Sequence, residues 1–288
     1  MAENEKNKIE GGALYLVGTP IGNLADISER AKKVLSEVDF IAAEDTRNTA
    51  KLLLCLGIRG ELVSYFEHNK KASGERIIER LLSGESCALV TDAGMPAISD
   101  PGEDIVRLCA EAGVRVLVVP GPCAAVSALA LSALPTGKFV FEGFLSANKG
   151  ERRARLLELT SESRTLIFYE APHKLKTTLS DMADAFGEER RVSLCRELTK
   201  INEEVIRTTL ARALEYYTEH EPRGEYVLVI EGADGCARKE ENPLLTLTPE
   251  EHVAHYEAEG LKRMDAIKKA AKDRGLSKSE LYNSLIEK

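Results

Sequence analysis

No stretch of this 288-residue chain approaches the roughly 20 consecutive apolar residues that cross a bilayer. The longest apolar run, Ala124 to Leu134, is interrupted by serines. The opening residues Met1 to Lys8 are polar and lack the hydrophobic segment of a signal peptide, so a cytoplasmic, non-membrane protein is expected. The six cysteines include no Cys-x-x-Cys, which argues against both a disulfide framework and a zinc site. Cys55, Cys87, Cys109 and Cys195 fall in apolar periodic segments and are expected to pack as small hydrophobes. His252 and His255 have helical spacing but no thiol or third ligand nearby, so they read as helix-surface residues and no metal is expected.

Phosphate-binding signatures are missing too. Gly18-x-x-x-Gly22 follows a first strand, but the Gly-x-Gly-x-x-Gly spacing of dinucleotide sites is absent. Pro20 also removes a backbone N–H from that turn, and no Gly-Lys-[Ser/Thr] occurs. A positive overall charge is lacking as well: the net charge is −8. Its distribution is uneven. Residues 261–288 carry eight Lys/Arg against four acids, a local +4, which leaves −12 on the remainder. A basic tail on an acidic body suggests a local patch for a polyanion.

What the chain does have is a loop dense in turn chemistry, Thr91-Asp92-Ala93-Gly94-Met95-Pro96-Ala97-Ile98-Ser99-Asp100-Pro101-Gly102. It follows the apolar run 87–90, read as a buried strand, and precedes a helix over 103–111. In open α/β sheets such loops lie beyond the carboxyl ends of strands, where ligands bind. Further strands are expected at 13–17, 39–43, 62–65 and 114–119, alternating with helices that include one carrying Ile77, Ile78, Leu81 and Leu82 on one face. The pattern predicts a parallel sheet covered on both sides. Beyond Leu134-Pro135-Thr136-Gly137, strands at 138–144, 165–169, 191–198, 203–208 and 225–231 with helices at 151–159 and 173–186 predict a second, mixed sheet. Lys149, Arg152, Arg153 and Arg155 read as a basic face for RNA. A polar stretch, 232–242, precedes capping boxes at Thr248–Glu251 and Ser277–Glu280. A helix between them carries Met264, Ile267 and Ala271 inward and stops at Gly275, and a last one presents Leu281, Leu285 and Ile286. The expected organisation is an N-terminal α/β domain over 1–135, a second over 136–235, and a linker with a helix-turn-helix-like extension over 236–288.

Several segments then stand in a telling order: Val17 to Leu24, Ala43-Glu44-Asp45-Thr46-Arg47, the loop 91–102, and Pro120-Gly121-Pro122-Cys123-Ala124. Phe168-Tyr169-Glu170-Ala171-Pro172-His173 and Arg196-Glu197-Leu198-Thr199-Lys200 follow. Together, over roughly 12–232, they resemble the 16S ribosomal RNA ribose 2′-O-methyltransferases of the tetrapyrrole methylase family. The resemblance implies S-adenosylmethionine between two α/β domains, a homodimer, and action on cytidine 1402 of 16S rRNA in the 30S subunit. Carried over by motif, the cofactor contacts are Pro20, Ala93, Gly94, Met95, Ile98, Cys123, Ala124, Tyr169 and Leu198. Among charged residues in these motifs, Lys200 or Arg47 is the candidate cation and Glu170 or Asp45 the candidate base. A precorrin methyltransferase and a non-catalytic RNA-binding protein are the alternatives.

Overall fold

A computed structural model describes residues 8–233, 244, 247–274 and 276–285. It divides into two compact units, Met1–Gly232 and Ala233–Lys288.

The first unit begins with a sheet of β1 (Ala13–Val17), β2 (Phe40–Ala43), β3 (Leu62–Ser64), β4 (Cys87–Val90) and β5 (Arg115–Val119). Their order is β3-β2-β4-β1-β5, and every pairing is parallel. Side chains alternate across the pleat, so each strand feeds two cores. Tyr15, Val17, Ile41 and Ala43 pack with Ala31, Val34 and Leu35 of α1 (Glu29–Glu37) and Leu53 of α2 (Thr46–Leu56). Leu14, Phe40, Ala42 and Leu89 face the other way, onto α3 (Lys70–Leu82) and α4 (Gly102–Glu111). Burial on both faces explains the unbroken apolar runs. Three expectations need correction. Leu82 and Cys55 are exposed rather than packed, and Val118 is half-exposed because β5 is an edge strand.

α5 (Ala124–Leu131) joins this sheet to the next. It is apolar on all sides because Ala125, Ala128 and Leu129 share a core with Ile167, Cys195, Val227 and Val229 of the second sheet. That sheet contains β6 (Phe139–Phe144), β7 (Thr165–Glu170), β8 (Arg191–Arg196), β9 (Glu204–Thr209) and β10 (Tyr226–Ile230), in the order β6-β7-β10-β8-β9. Only β6 and β7 run parallel, so the sheet is mixed, as expected from the sequence. Its other face is covered by α6 (Lys149–Glu158), α7 (Pro172–Phe186) and α8 (Leu210–Glu219). α8 has no counterpart among the expectations above. Its buried residues Leu210, Ala213 and Tyr217 are helically spaced, and Thr209 caps it.

α6 does not offer the basic face expected of it. Arg152 is buried against Asp181, with Nη2 at 2.7 Å from Oδ2, and its Nη1 donates to the Ser146 and Ala147 carbonyls. Arg153 bonds Asp181 and Asp184, and Arg155 bonds Glu142 and Glu158. These arginines hold α6 to its neighbours, and their charge is locally neutralised.

The second unit holds α9 (Pro249–Ala258), α10 (Arg263–Asp273) and α11 (Lys278–Ser284). Both capping boxes form. Val253, Tyr256, Ala266, Ile267, Ala270, Ala271 and Leu281 make the core, while Met264, expected inward, is exposed. His252 is not a surface residue: it is fully buried and accepts a hydrogen bond at Nδ1 from Arg274 Nε at 3.1 Å. His255 is exposed beside Glu259. Gly275, Ile286 and most of the polar stretch 232–242 lie outside the described residues.

Candidate ligand cavity

A cavity of about 400 Å³ opens in the first unit, within the size range of small-molecule sites. One wall consists of the loops that leave β1, β4 and β5. Here the chain's small residues bring backbone onto backbone. A Cβ on Gly18 would lie 2.6 Å from Gly121 Cα, and one on Gly121 would lie 2.8 Å from Gly18 Cα, so neither site accepts a side chain. Thr19 and Gly94 exchange backbone hydrogen bonds of 2.9 and 3.2 Å, which tie the first loop to the loop 91–102. Within that loop, Gly94, Ala97 and Ser99 all have positive φ. Strain of this kind costs non-glycine residues about 1–3 kcal/mol each and persists where neighbours over-determine the conformation. Asp100 supplies part of that hold: its Oδ1 accepts from the N–H groups of Ala97 at 2.9 Å and Gly102 at 2.7 Å. Its Oδ2 is buried and makes no hydrogen bond among the described residues.

The second sheet provides the opposite wall through Phe144, Tyr169, Glu170, Cys195 and Val227, and through Glu197, Leu198 and Lys200 after β8. Glu197 and Thr199 also have positive φ. Phe144 and Tyr169 meet with ring centroids 5.4 Å apart, and burial pushes the Tyr169 hydroxyl up to about 12. Lys200 Nζ lies 2.8 Å from Glu197 Oε1 and 2.9 Å from Glu225 Oε2. Burial pulls the Lys200 ammonium down, but hydrogen bonds to these two carboxylates outweigh it and leave its pKa raised. It is a fixed cation and a poor base. Glu170 is buried, and both its oxygens are engaged: Oε1 accepts from Ala171 N–H and Oε2 from the Thr178 hydroxyl at 2.5 Å.

Eight of the nine residues expected to contact a cofactor line this cavity: Ala93, Gly94, Met95, Ile98, Cys123, Ala124, Tyr169 and Leu198. Pro20 does not line it; its neighbour Ile21 does. Lys200 and Glu170 are at the cavity, but Asp45 and Arg47 are not. Those two border an adjoining hollow and form a bidentate ion pair, Nε–Oδ1 at 3.1 Å and Nη2–Oδ2 at 2.7 Å. The Arg47 side-chain and backbone hydrogen bonds hold the Asp45 carboxyl down at about 2, which disqualifies it as a base. Asp45 instead caps α2. Phe144, Asp100 and Glu225 escaped sequence reasoning. Asp100 sits in the loop singled out from sequence, but an Asp before Pro-Gly reads first as a helix cap. Nothing in the local pattern marks Glu225.

A two-lobed α/β protein with a cavity at the carboxyl ends of a parallel sheet is thus defined by geometry alone. Residues 13–214 match the profile of the Tetrapyrrole (Corrin/Porphyrin) Methylases. A protein of Halalkalibacterium halodurans named ribosomal RNA small subunit methyltransferase I is 48% identical over 98% of this chain and 97% of its own length. Its Escherichia coli O157:H7 namesake is 43% identical over 100% of this chain and 99% of its own length. The chain therefore belongs to the tetrapyrrole methylase family and is a methyltransferase. The fold agrees with a crystal structure of uroporphyrin-III-C-methyltransferase from Thermus thermophilus, with a TM-score of 0.56 and 23% identity over 78% of this chain and 96% of that one.

Proposed function

We propose that the cavity binds S-adenosylmethionine and that the protein methylates the ribose 2′-oxygen of cytidine 1402 of 16S rRNA in the small ribosomal subunit. The observation that carries the reading is the convergence of the cofactor motif positions on one cavity whose walls differ in kind. The fit of the cofactor rests on the residues present. Gly94 and Ala93 offer backbone groups, and Met95, Ile98 and Leu198 offer apolar cover for an adenine. S-adenosylmethionine would supply an electrophilic methyl carbon there. The chain's own part is to align the attacking oxygen and exclude water, which is worth several kcal/mol. Lys200, held protonated by Glu197 and Glu225, acts as a nearby positive charge that lowers the hydroxyl's pKa.

The second unit serves as an RNA-docking module. Its support is the local +4 charge that residues 261–288 carry within a unit whose net charge is −1, on helices that pack their own core. The deciding experiment incubates the protein with methyl-labelled S-adenosylmethionine and either 30S subunits or a precorrin. Label in the subunit RNA, mapped to the 2′-oxygen of the target cytidine, is expected; label in the precorrin alone refutes the reading. Removing 233–288 should leave cofactor affinity unchanged and raise the KM for subunits about tenfold, more at higher salt.

A further inference from the structure

We propose that the hollow beside the cavity is the subsite for the nucleotide adjoining the one that is methylated, with Phe66 as its stacking platform and Arg47 as its phosphate contact. This rests on the RNA reading above and extends it to a surface that reading leaves unused. The hollow measures about 360 Å³ and is lined by Glu44, Asp45, Thr46, Arg47, Ser64 and Phe66. Glu44 lines the main cavity as well, so the two spaces adjoin at that residue. They share an origin in the fold: the hollow forms where β2 and β3 end, with Ala43 paired to Ser64.

A ribose cannot enter the cavity unless the strand's next nucleotide is held outside it. Single-stranded RNA is held in two ways, by stacking of a base on an aromatic ring and by cations on the backbone. Both are present. The Phe66 N–H donates to Asn69 Oδ1 at 2.8 Å, Asn69 Nδ2 donates to the Ser64 carbonyl at 3.1 Å, and the Asn69 N–H donates to the Phe66 carbonyl. This turn fixes a half-buried ring at the hollow. Arg47 is 85% exposed, and its Nε and Nη2 donate to Asp45, which orients the guanidinium. Its Nη1 makes no hydrogen bond among the described residues and is the donor left for a phosphate oxygen. Capping α2 requires Asp45 alone, so the cap does not account for Arg47. With Glu44, Asp45 and Asp92 close by, one phosphodiester suits the site better than a polyphosphate.

The test uses the full chain, 30S subunits and labelled S-adenosylmethionine, with calorimetry of the cofactor as the control for folding. Phe66→Ala should raise the KM for subunits by about 5- to 150-fold, the range of a lost base stack. Its kcat and cofactor affinity should stay unchanged, and Phe66→Tyr should restore the KM. Arg47→Gln should raise the KM and flatten the slope of log affinity against log salt by about 0.7–0.9. An unmoved KM in Phe66→Ala overturns the subsite while leaving the RNA reading intact, and so does a fall in kcat alone. If the wild-type protein binds cofactor but labels no RNA, the reading and the subsite fall together.

Discussion

The two sheets of the first unit meet at one cavity but contribute to it differently. The parallel sheet gives close-packed backbone, with Met95 and Ile98 as its apolar side chains: Gly18 against Gly121, Thr19 bridged to Gly94, and a loop held at positive φ by Asp100. The mixed sheet gives side chains: Tyr169 and Phe144 as aromatic surface, Leu198 as apolar cover, and Lys200 as charge. The reason lies in topology. Parallel strands all end at the same edge of the sheet, so their loops crowd together and only small residues let three of them pass. Antiparallel strands end at alternate edges, which leaves room there for long side chains. Methyl transfer divides in the same way, because holding a cofactor needs close approach whereas activating an oxygen needs a placed charge.

The comparison breaks most severely where the side-chain half loses its frame. Arg152→Met should destabilise the protein by about 3–5 kcal/mol, since it leaves Asp181 buried with Arg153 as its remaining cation. Denaturant titration of wild type and variant checks this. The same site sets an acid limit. Burial pushes the Asp181 carboxyl up, but hydrogen bonds from Arg153 and Arg152 outweigh it and hold it below its ordinary 3.8. A depressed carboxylate contributes stability that is fully present above its unfolded pKa and is lost as pH falls through its folded one. Acid unfolding should therefore steepen below pH 3.8, and Asp181→Asn should flatten it.

Gly121→Val attacks the backbone half. Overpacking costs about 1–3 kcal/mol, and here the clash is with the Gly18 backbone, so cofactor affinity should fall by about 100-fold. Calorimetry on the folded variant decides it, and retained affinity would show that the loops can part. Lys200→Met should lower kcat by about 100-fold while cofactor affinity moves little, if Lys200 acts on the oxygen. Equal losses in kcat and affinity would place it in the cofactor's own shell.

Much of this division was legible before any coordinates. Periodicity alone locates the ten strands of the described residues, and the crowding of Gly and Pro in 91–102 marks the loop at the cavity. What stayed hidden required knowledge of partners. Arg152 looks like a solvated helix face until Asp181 is found opposite it, 29 positions away in sequence. His252 looks exposed until Arg274 closes over it. Asp45 and Arg47 look catalytic because their motif is charged, yet two-residue spacing let them satisfy one another.

Asp100 sharpens the comparison, because its carboxylate shapes the backbone half of the cavity lining. Its two oxygens do separate work: Oδ1 takes the Ala97 and Gly102 N–H groups, and Oδ2 is buried without a partner. A buried acceptor with no donor is costly, about 1–3 kcal/mol, and a ligand donor reaches Oδ2 only if the loop shifts when the cofactor binds. Asp100→Asn separates the roles. The amide oxygen can take over both backbone bonds, so the loop should keep its shape, and stability should stay within about 0.5 kcal/mol. The amide nitrogen would then stand where Oδ2 stood, setting donor against donor when S-adenosylmethionine binds. Affinity should fall about tenfold, the lower range for a hydrogen bond to a charged group. If affinity holds while stability drops, Asp100 is a loop pin only.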